Sequence, residues 1–183
     1  KRGFYKVYHQ NRYRPEVLRR SHQDMWLVEE ATYKPFPCCG WTHAALECAQ
    51  LLSAEGIAAA EIEKIHVGVN AQAFSSVGTP LPRRYNPRTA IDAQFSIPYT
   101  FGTAFTTGSV TLADFSDTAL REPLRLDVAS KVTVGVDGDI ESKWGRGVSP
   151  ARVVATLRDG RKVEKFVADP LGELTRPMTE DAL

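Results

Sequence analysis

The residues of this sequence best suited to chemistry fall in one short stretch, YKPFPCCGWTH, residues 33–43. Thr42 reads as the N-cap of a helix, which makes His43 its first residue. Backbone N–H groups at such an end point outward and favour a carboxylate. The positive helix end also disfavours imidazolium, so His43 is expected to be neutral and able to accept a proton. Lys34 sits on a loop braced by Pro35 and Pro37, and it adds a fixed positive charge toward the same point. Cys39 stands four residues before His43, near the same helix start. Together these residues outline a carboxylate-binding position with a base and a fixed cation beside it. The same spacing also describes a histidine that only helps to cap its helix and a lysine solvated on a loop. Spacing alone leaves both readings standing.

A second set, Arg83, Arg84 and Arg88, lies in residues 70–92, a stretch of Ser, Gly, Pro and Thr without periodicity. It reads as a long loop, and loops of that length in a compact domain are more often functional than accidental. Guanidinium forks suit carboxylates and phosphates, although clustered loop arginines are also commonly just solvated. No GxGxxG or Walker pattern is present, and Gly145-Arg146-Gly147 resembles neither. Cys38, Cys39 and Cys48 do not supply four zinc ligands, so no metal is expected. Nor do three cysteines, two of them adjacent, build a disulfide framework; they suit a reducing cytoplasm. His9, His22 and His66 receive no role.

Charge narrows the function classes further. The 183 residues carry 23 Lys and Arg against 22 Asp and Glu, a balance that argues against a dedicated nucleic-acid binder. The basic stretch with Arg12, Tyr13, Arg14, Arg19 and Arg20 is the one place where RNA contact would be sought. No apolar run approaches the roughly 18 residues of a membrane span, and the opening KRGFYKVYHQ lacks a secretory apolar core. Lys1 precedes the first methionine, Met25, and the expectation is a piece of a longer chain.

These residues need elements to hold them. Ala44, Ala45, Cys48, Leu51 and Leu52 recur at helical spacing after Thr42, with Gly56 as the stop. A second helix begins with Ser96 as N-cap and Pro98 in its first turn, and runs through Tyr99, Phe101 and Phe105 to Gly108. Shorter helical patterns follow at residues 111–115 and 116–121. Alternation predicts strands around Ile65, Val67 and Val69, around Val132 and Val134, and around Val153, Ala155 and Leu157. Asp159-Gly160 signals a hairpin into a return strand where Val163 and Lys165 share a face. Met25-Trp26-Leu27-Val28 reads as a further short strand. The sum is an α+β fold, a two-layer sandwich with helices on one face of a mainly antiparallel sheet.

Three blocks resemble one family. YKPFPCCGWTHAALECAQLL resembles the lysine–proline–cysteine–histidine signature of the MmgE/PrpD family, which contains 2-methylcitrate dehydratase. AIDAQFSIPYTFGTAFTTGSVTLADFSD resembles its later alanine–aromatic–serine block, and DGRKV before GELTRPMTEDAL is similar to its C-terminal pattern. The resemblance implies that the whole chain, residues 1–183, is the small α+β lid of an enzyme whose large all-helical domain is a separate part. It implies elimination, decarboxylation or epimerisation of small di- and tricarboxylic acids, with no cofactor and no iron–sulfur cluster, in a homodimer when the protein is full length. On this resemblance His43 is the acid/base or a substrate ligand, and Lys34 is the electrostatic stabiliser. Arg84 clamps a distal carboxylate, with Arg83 and Cys39 as further substrate contacts.

Cys39 departs from the decarboxylase branch of that family, which carries a catalytic histidine five residues after the lysine. This favours a lyase of the dehydratase type acting on a 2-methylcitrate-like acid. An epimerase of a dicarboxylic acid such as iminodisuccinate stays open, as does a non-catalytic binding or assembly module.

Overall fold

The computed structural model describes residues 3–10, 12–14, 16, 28, 31–144 and 150–180. The chain divides into two units, residues 1–31 and 32–183. In the first, helix α1 (Phe4–His9) carries an exposed aromatic surface, and Tyr5 stacks on Tyr13 with ring centroids 4.1 Å apart. Residues 25–27 of the expected first strand, Arg19, Arg20 and residues 145–147 lie outside the described residues.

The second unit opens with helix α2 (His43–Ala54) and strand β1 (Ile62–Val69). Helices α3 (Ala71–Ala73, continued by a π turn to Gly78), α4 (Leu81–Tyr85), α5 (Ala90–Gln94), α6 (Ile97–Thr107) and α7 (Pro123–Ser130) follow. Then come β2 (Val132–Val136), α8 (Gly138–Trp144), β3 (Ala151–Leu157) and β4 (Lys162–Val167).

The strands form one sheet in the order β2-β1-β3-β4. β1 runs parallel to β2, with Ile65 opposite Val132, while the other two pairings are antiparallel. Parallel neighbours require a long crossover, and α3 to α7 supply it. One face of the sheet, with Ile65, Val67, Val132, Val153, Ala155 and Leu157, is buried. The opposite face exposes Lys64, His66, Thr133 and Glu164, so the long helices cover one face, while on the other Trp144 at the end of α8 meets Phe166 edge-on at 5.8 Å.

α2 packs on α6, β3 and β4 through Leu46, Cys48 and Leu52, all fully buried. α6 is buried nearly all round and contributes Tyr99 and Phe101. Each such side chain contributes roughly 1.5–3 kcal/mol relative to exposure. Ser96 caps α6 as expected: its Oγ accepts the Tyr99 N–H at 3.1 Å, and Gly108 ends the helix at φ +79°. Gly160 turns the β3–β4 hairpin at φ +87°. A second ledger of polar contacts fixes the chain after β4. Glu47, buried on α2, accepts the Leu171 N–H with one carboxylate oxygen and Arg176 Nη1 at 2.9 Å with the other.

The structure corrects the sequence at three places. Residues 70–92 are not one loop but a run of short helices, of which α3 and α5 are capped by side chains. Asn70 Oδ1 accepts the Ala73 N–H at 2.8 Å, and Thr89 Oγ1 accepts that of Asp92 at 3.2 Å. Helices this short carry no periodicity to read. α7 and α8 were not anticipated either. α7 is half polar and begins Glu122-Pro123, where Glu122 accepts the Arg125 N–H at 2.9 Å. Asp137 Oδ1 plays the same part for α8, accepting the Ile140 N–H at 3.2 Å.

Gly102 sets the approach of α7 to α6. A Cβ there would lie 2.5 Å from the Arg125 carbonyl oxygen and 3.2 Å from the Ala129 nitrogen, both backbone atoms. Gly102→Ala is expected to destabilise the protein by about 3 kcal/mol through forced separation of the two helices. Urea unfolding midpoints at unchanged m-value would measure it.

Candidate active site

The loop before α2 is held from two sides and by one bond of its own. The Tyr33 N–H donates to the Gly172 carbonyl at 3.0 Å, and the Cys38 N–H to that of Phe36 at 2.8 Å. The Cys39 N–H donates to the Gln94 carbonyl at 2.9 Å, while Gln94 Nε2 donates back to the Pro37 carbonyl at 3.0 Å. Gly172 is required where it stands, because its φ is +93° and a Cβ would meet the Tyr33 carbonyl oxygen at 2.1 Å.

These bonds shape a cavity of about 770 Å³, lined by Lys34, Cys39, Gln94, Phe95 and Thr111 among others. Lys34 is exposed and Cys39 half-buried, so an ammonium and a thiol open onto the same space. The neighbouring thiol differs. Burial pushes Cys38 up to about 11, and its Sγ lies 3.2 Å from Thr42 Oγ1, which makes it a packing residue.

The helix start is displaced from its expected place. A 3-10 turn, Gly40–Thr42, precedes α2, and its N-cap residue is Cys39. Thr42 Oγ1 donates to the Cys39 carbonyl at 2.8 Å rather than accepting a helix N–H. The His43 N–H is occupied by the Gly40 carbonyl. The outward-pointing donors expected at His43 therefore belong to the turn before it.

His43 lies under the loop and is only 3% exposed. Its ring meets Phe36 edge-on at 5.4 Å, and its Nε2 has no hydrogen-bond partner among the described residues. Burial lowers its pKa from 6.5 to about 4, helped by the charge of Lys34; hydrogen bonding to the Cys38 and Phe36 backbones offsets only part of this. The imidazole is neutral near pH 7, as expected, but desolvation rather than a helix end is the main cause. His43 is not among the residues lining the cavity.

The arginines divide. Arg84 directs its guanidinium at the backbone: Nε and Nη2 reach the Thr79 carbonyl at 3.1 and 3.0 Å. Nη1 reaches the Phe95 carbonyl at 2.6 Å, and Nη2 also reaches that of Ser76 at 2.7 Å. Arg84 thus ties α4 to the start of α6, with little donor capacity left for a carboxylate. Arg83 and Arg88 line a different concavity. Of the residues singled out from the sequence, the structure brings together Lys34 and Cys39. It sets His43 behind them and turns the arginines elsewhere. Gln94 was missed; it is one polar residue in a five-residue helix, and nothing in the sequence marks it.

Among the described residues no group of three His, Cys, Asp or Glu side chains is placed to hold a metal ion. Among the same residues no helix is long and apolar enough to cross a membrane. In comparisons with known proteins, the family described as MmgE/PrpD C-terminal domain matches residues 36–183. No individual curated protein matches the chain.

The depressed His43 pKa has a consequence for stability. The unfolded chain binds the His43 proton below about 6.5 and the folded chain only near 4, so stability is complete above 6.5 and falls between the two values. From pH 7 to pH 5 this histidine is expected to remove about 2 kcal/mol. Urea unfolding at both pH values checks it, with His43→Gln expected to lose that much less than the wild type.

Proposed function

The chain belongs to the MmgE/PrpD family, and we propose that it forms the lysine-bearing wall of an enzyme that dehydrates a small hydroxy-tricarboxylic acid of the 2-methylcitrate kind. The observation that carries the reading is the common cavity of Lys34 and Cys39, ample for a ligand of that size. In this mechanism a base takes the proton from the carbon next to a carboxylate. The C–H electron pair enters that carboxylate and creates a dianion. The pair then returns to form the double bond, and the β-hydroxyl leaves as water after accepting a proton.

Lys34 stabilises the dianion. A fixed ammonium beside the developing charge lowers the barrier most, because it gains more in the transition state than in the ground state. The Cys39 thiol and the Gln94 amide flank it as substrate contacts. The described residues lining the cavity include no carboxylate or imidazole. We therefore assign the proton acceptor to the helical domain with which this domain works. His43 becomes a positioning residue: its ring supports Phe36 from behind and holds Lys34 and Cys39 in relation. A cysteine where the decarboxylase branch has a histidine favours loss of water over loss of carbon dioxide.

The test is an assay of the native gene product on 2-methylcitrate, following the double bond by absorbance and the α-proton by exchange with deuterium. Alkene formation supports the reading; α-proton exchange without loss of water replaces it with an epimerase. Lys34→Ala is expected to lower kcat on the order of 10²- to 10³-fold, with partial recovery in Lys34→Arg. His43→Gln is expected to keep the acidic limb of the pH–rate profile, and loss of that limb would make His43 the base after all.

A further inference from the structure

Two of the three arginines in residues 83–88, Arg83 and Arg88, occupy a concavity of their own. It measures about 500 Å³ and is lined by Pro82, Arg83, Asn86, Arg88 and Asp92. It shares no lining residue with the Lys34 cavity. Its charge is not balanced from within. Asp92 is the single carboxylate, and its approach to Arg83 is long at 3.6 Å, with the Arg83 side chain 75% exposed. Asp92 is also engaged by the Thr89 hydroxyl, which donates to its Oδ2 at 3.1 Å. Arg88 makes no hydrogen bond or ion pair among the described residues. Nearby, Arg121 reaches Asn86 Oδ1 at 3.4 Å and brings a third guanidinium to the rim.

The contrast with Arg84 is informative. Arg84 stands in the same helix as Arg83 and spends its donors on three backbone carbonyls, which accounts for it as a structural residue. No such account exists for Arg83 and Arg88. Guanidinium groups gathered around one concavity repel each other, and an anion between them removes that cost while filling their forks bidentately. The backbone that presents them is fixed. α5 is capped by Thr89, and Pro87 between Asn86 and Arg88 is buried.

We infer that this concavity is an oxyanion site, distinct from the Lys34 cavity, that takes a ligand through a carboxylate or phosphate group. Arg83 and Arg88 grip the oxyanion, and Asp92 rejects a second negative charge on its own side. The site is coupled to the first by the chain itself, because α5 leads directly from Asp92 into Gln94 and Phe95, which line the Lys34 cavity. The inference does not depend on the dehydratase reading.

Calorimetric titration of the native gene product with inorganic phosphate and with tricarballylate tests it. At least one probe is expected to bind the wild type and the Lys34→Ala variant alike. The Arg83→Ser/Arg88→Ser variant is expected to weaken that binding at least tenfold, with thermal melting to check that it folds. Arg88→Lys keeps the charge but loses the fork, and is expected to weaken binding at least threefold in a fold left undisturbed. Whichever probe survives in Lys34→Ala identifies the oxyanion as phosphate or carboxylate. Binding that vanishes with Lys34→Ala, that is unchanged in the double variant, or that is absent for both probes overturns the inference.

Discussion

The site rests on a two-way exchange between one glutamine and one loop. Gln94 accepts from the Cys39 N–H with its main chain and donates to the Pro37 carbonyl with its side chain. Two bonds in opposite directions fix both the distance and the rotation of the loop against α5. Each alone is worth about 1 kcal/mol net, and their combined value lies in geometry more than in energy. Without them the prolines would stiffen the loop but would not orient it. Lys34 would then have no defined relation to Cys39, nor either of them to the cavity beneath Phe95. The sheet and α6 enter this account as the rigid floor on which α5 is mounted.

Burial then decides which groups can react. Cys38 and Cys39 both line the cavity, yet Cys38 is buried with its thiol against Thr42 while Cys39 is only half-buried. Phe36 and His43 pack edge to face, and burial of the histidine keeps its ring neutral. A charged imidazole there would have to be desolvated beside the cation of Lys34, which is doubly unfavourable. The neutral ring is therefore a structural requirement of the site, whatever else it contributes.

The sequence was most legible where physical periodicity is long. Val67 and Val69, Val153 and Ala155, and the Ser96–Gly108 helix all follow directly from side-chain alternation or capping residues, and the α+β layering follows from them. It was least legible where helices are shorter than two turns. In α3 and α5 the stabilising events are single caps by Asn70 and Thr89, which look like ordinary loop residues on paper, and α4 has no side-chain cap at all. The site shows the same division. That Lys34 and Cys39 border one space was legible from their spacing on a proline-braced loop. The 3-10 turn that moves the helix start, the burial of His43 and the partnership of Gln94 depend on contacts across 40 or more residues or on local geometry that no spacing encodes. Arg84 could not have been told from Arg83 in sequence, since only the placement of the Thr79, Ser76 and Phe95 carbonyls separates them.

The clasp of Tyr33 on Gly172 carries a mechanical consequence. The same tail segment is gripped by Glu47 through Leu171 and Arg176. Lys34 is therefore one residue from a tether whose other anchor is a carboxylate in the second turn of α2. Displacement of residues 171–176 would travel as tension along that tether and shift the ammonium before it disturbed the helix. Loosening the Glu47 grip would blur the position of the lysine while leaving the walls of the cavity in place.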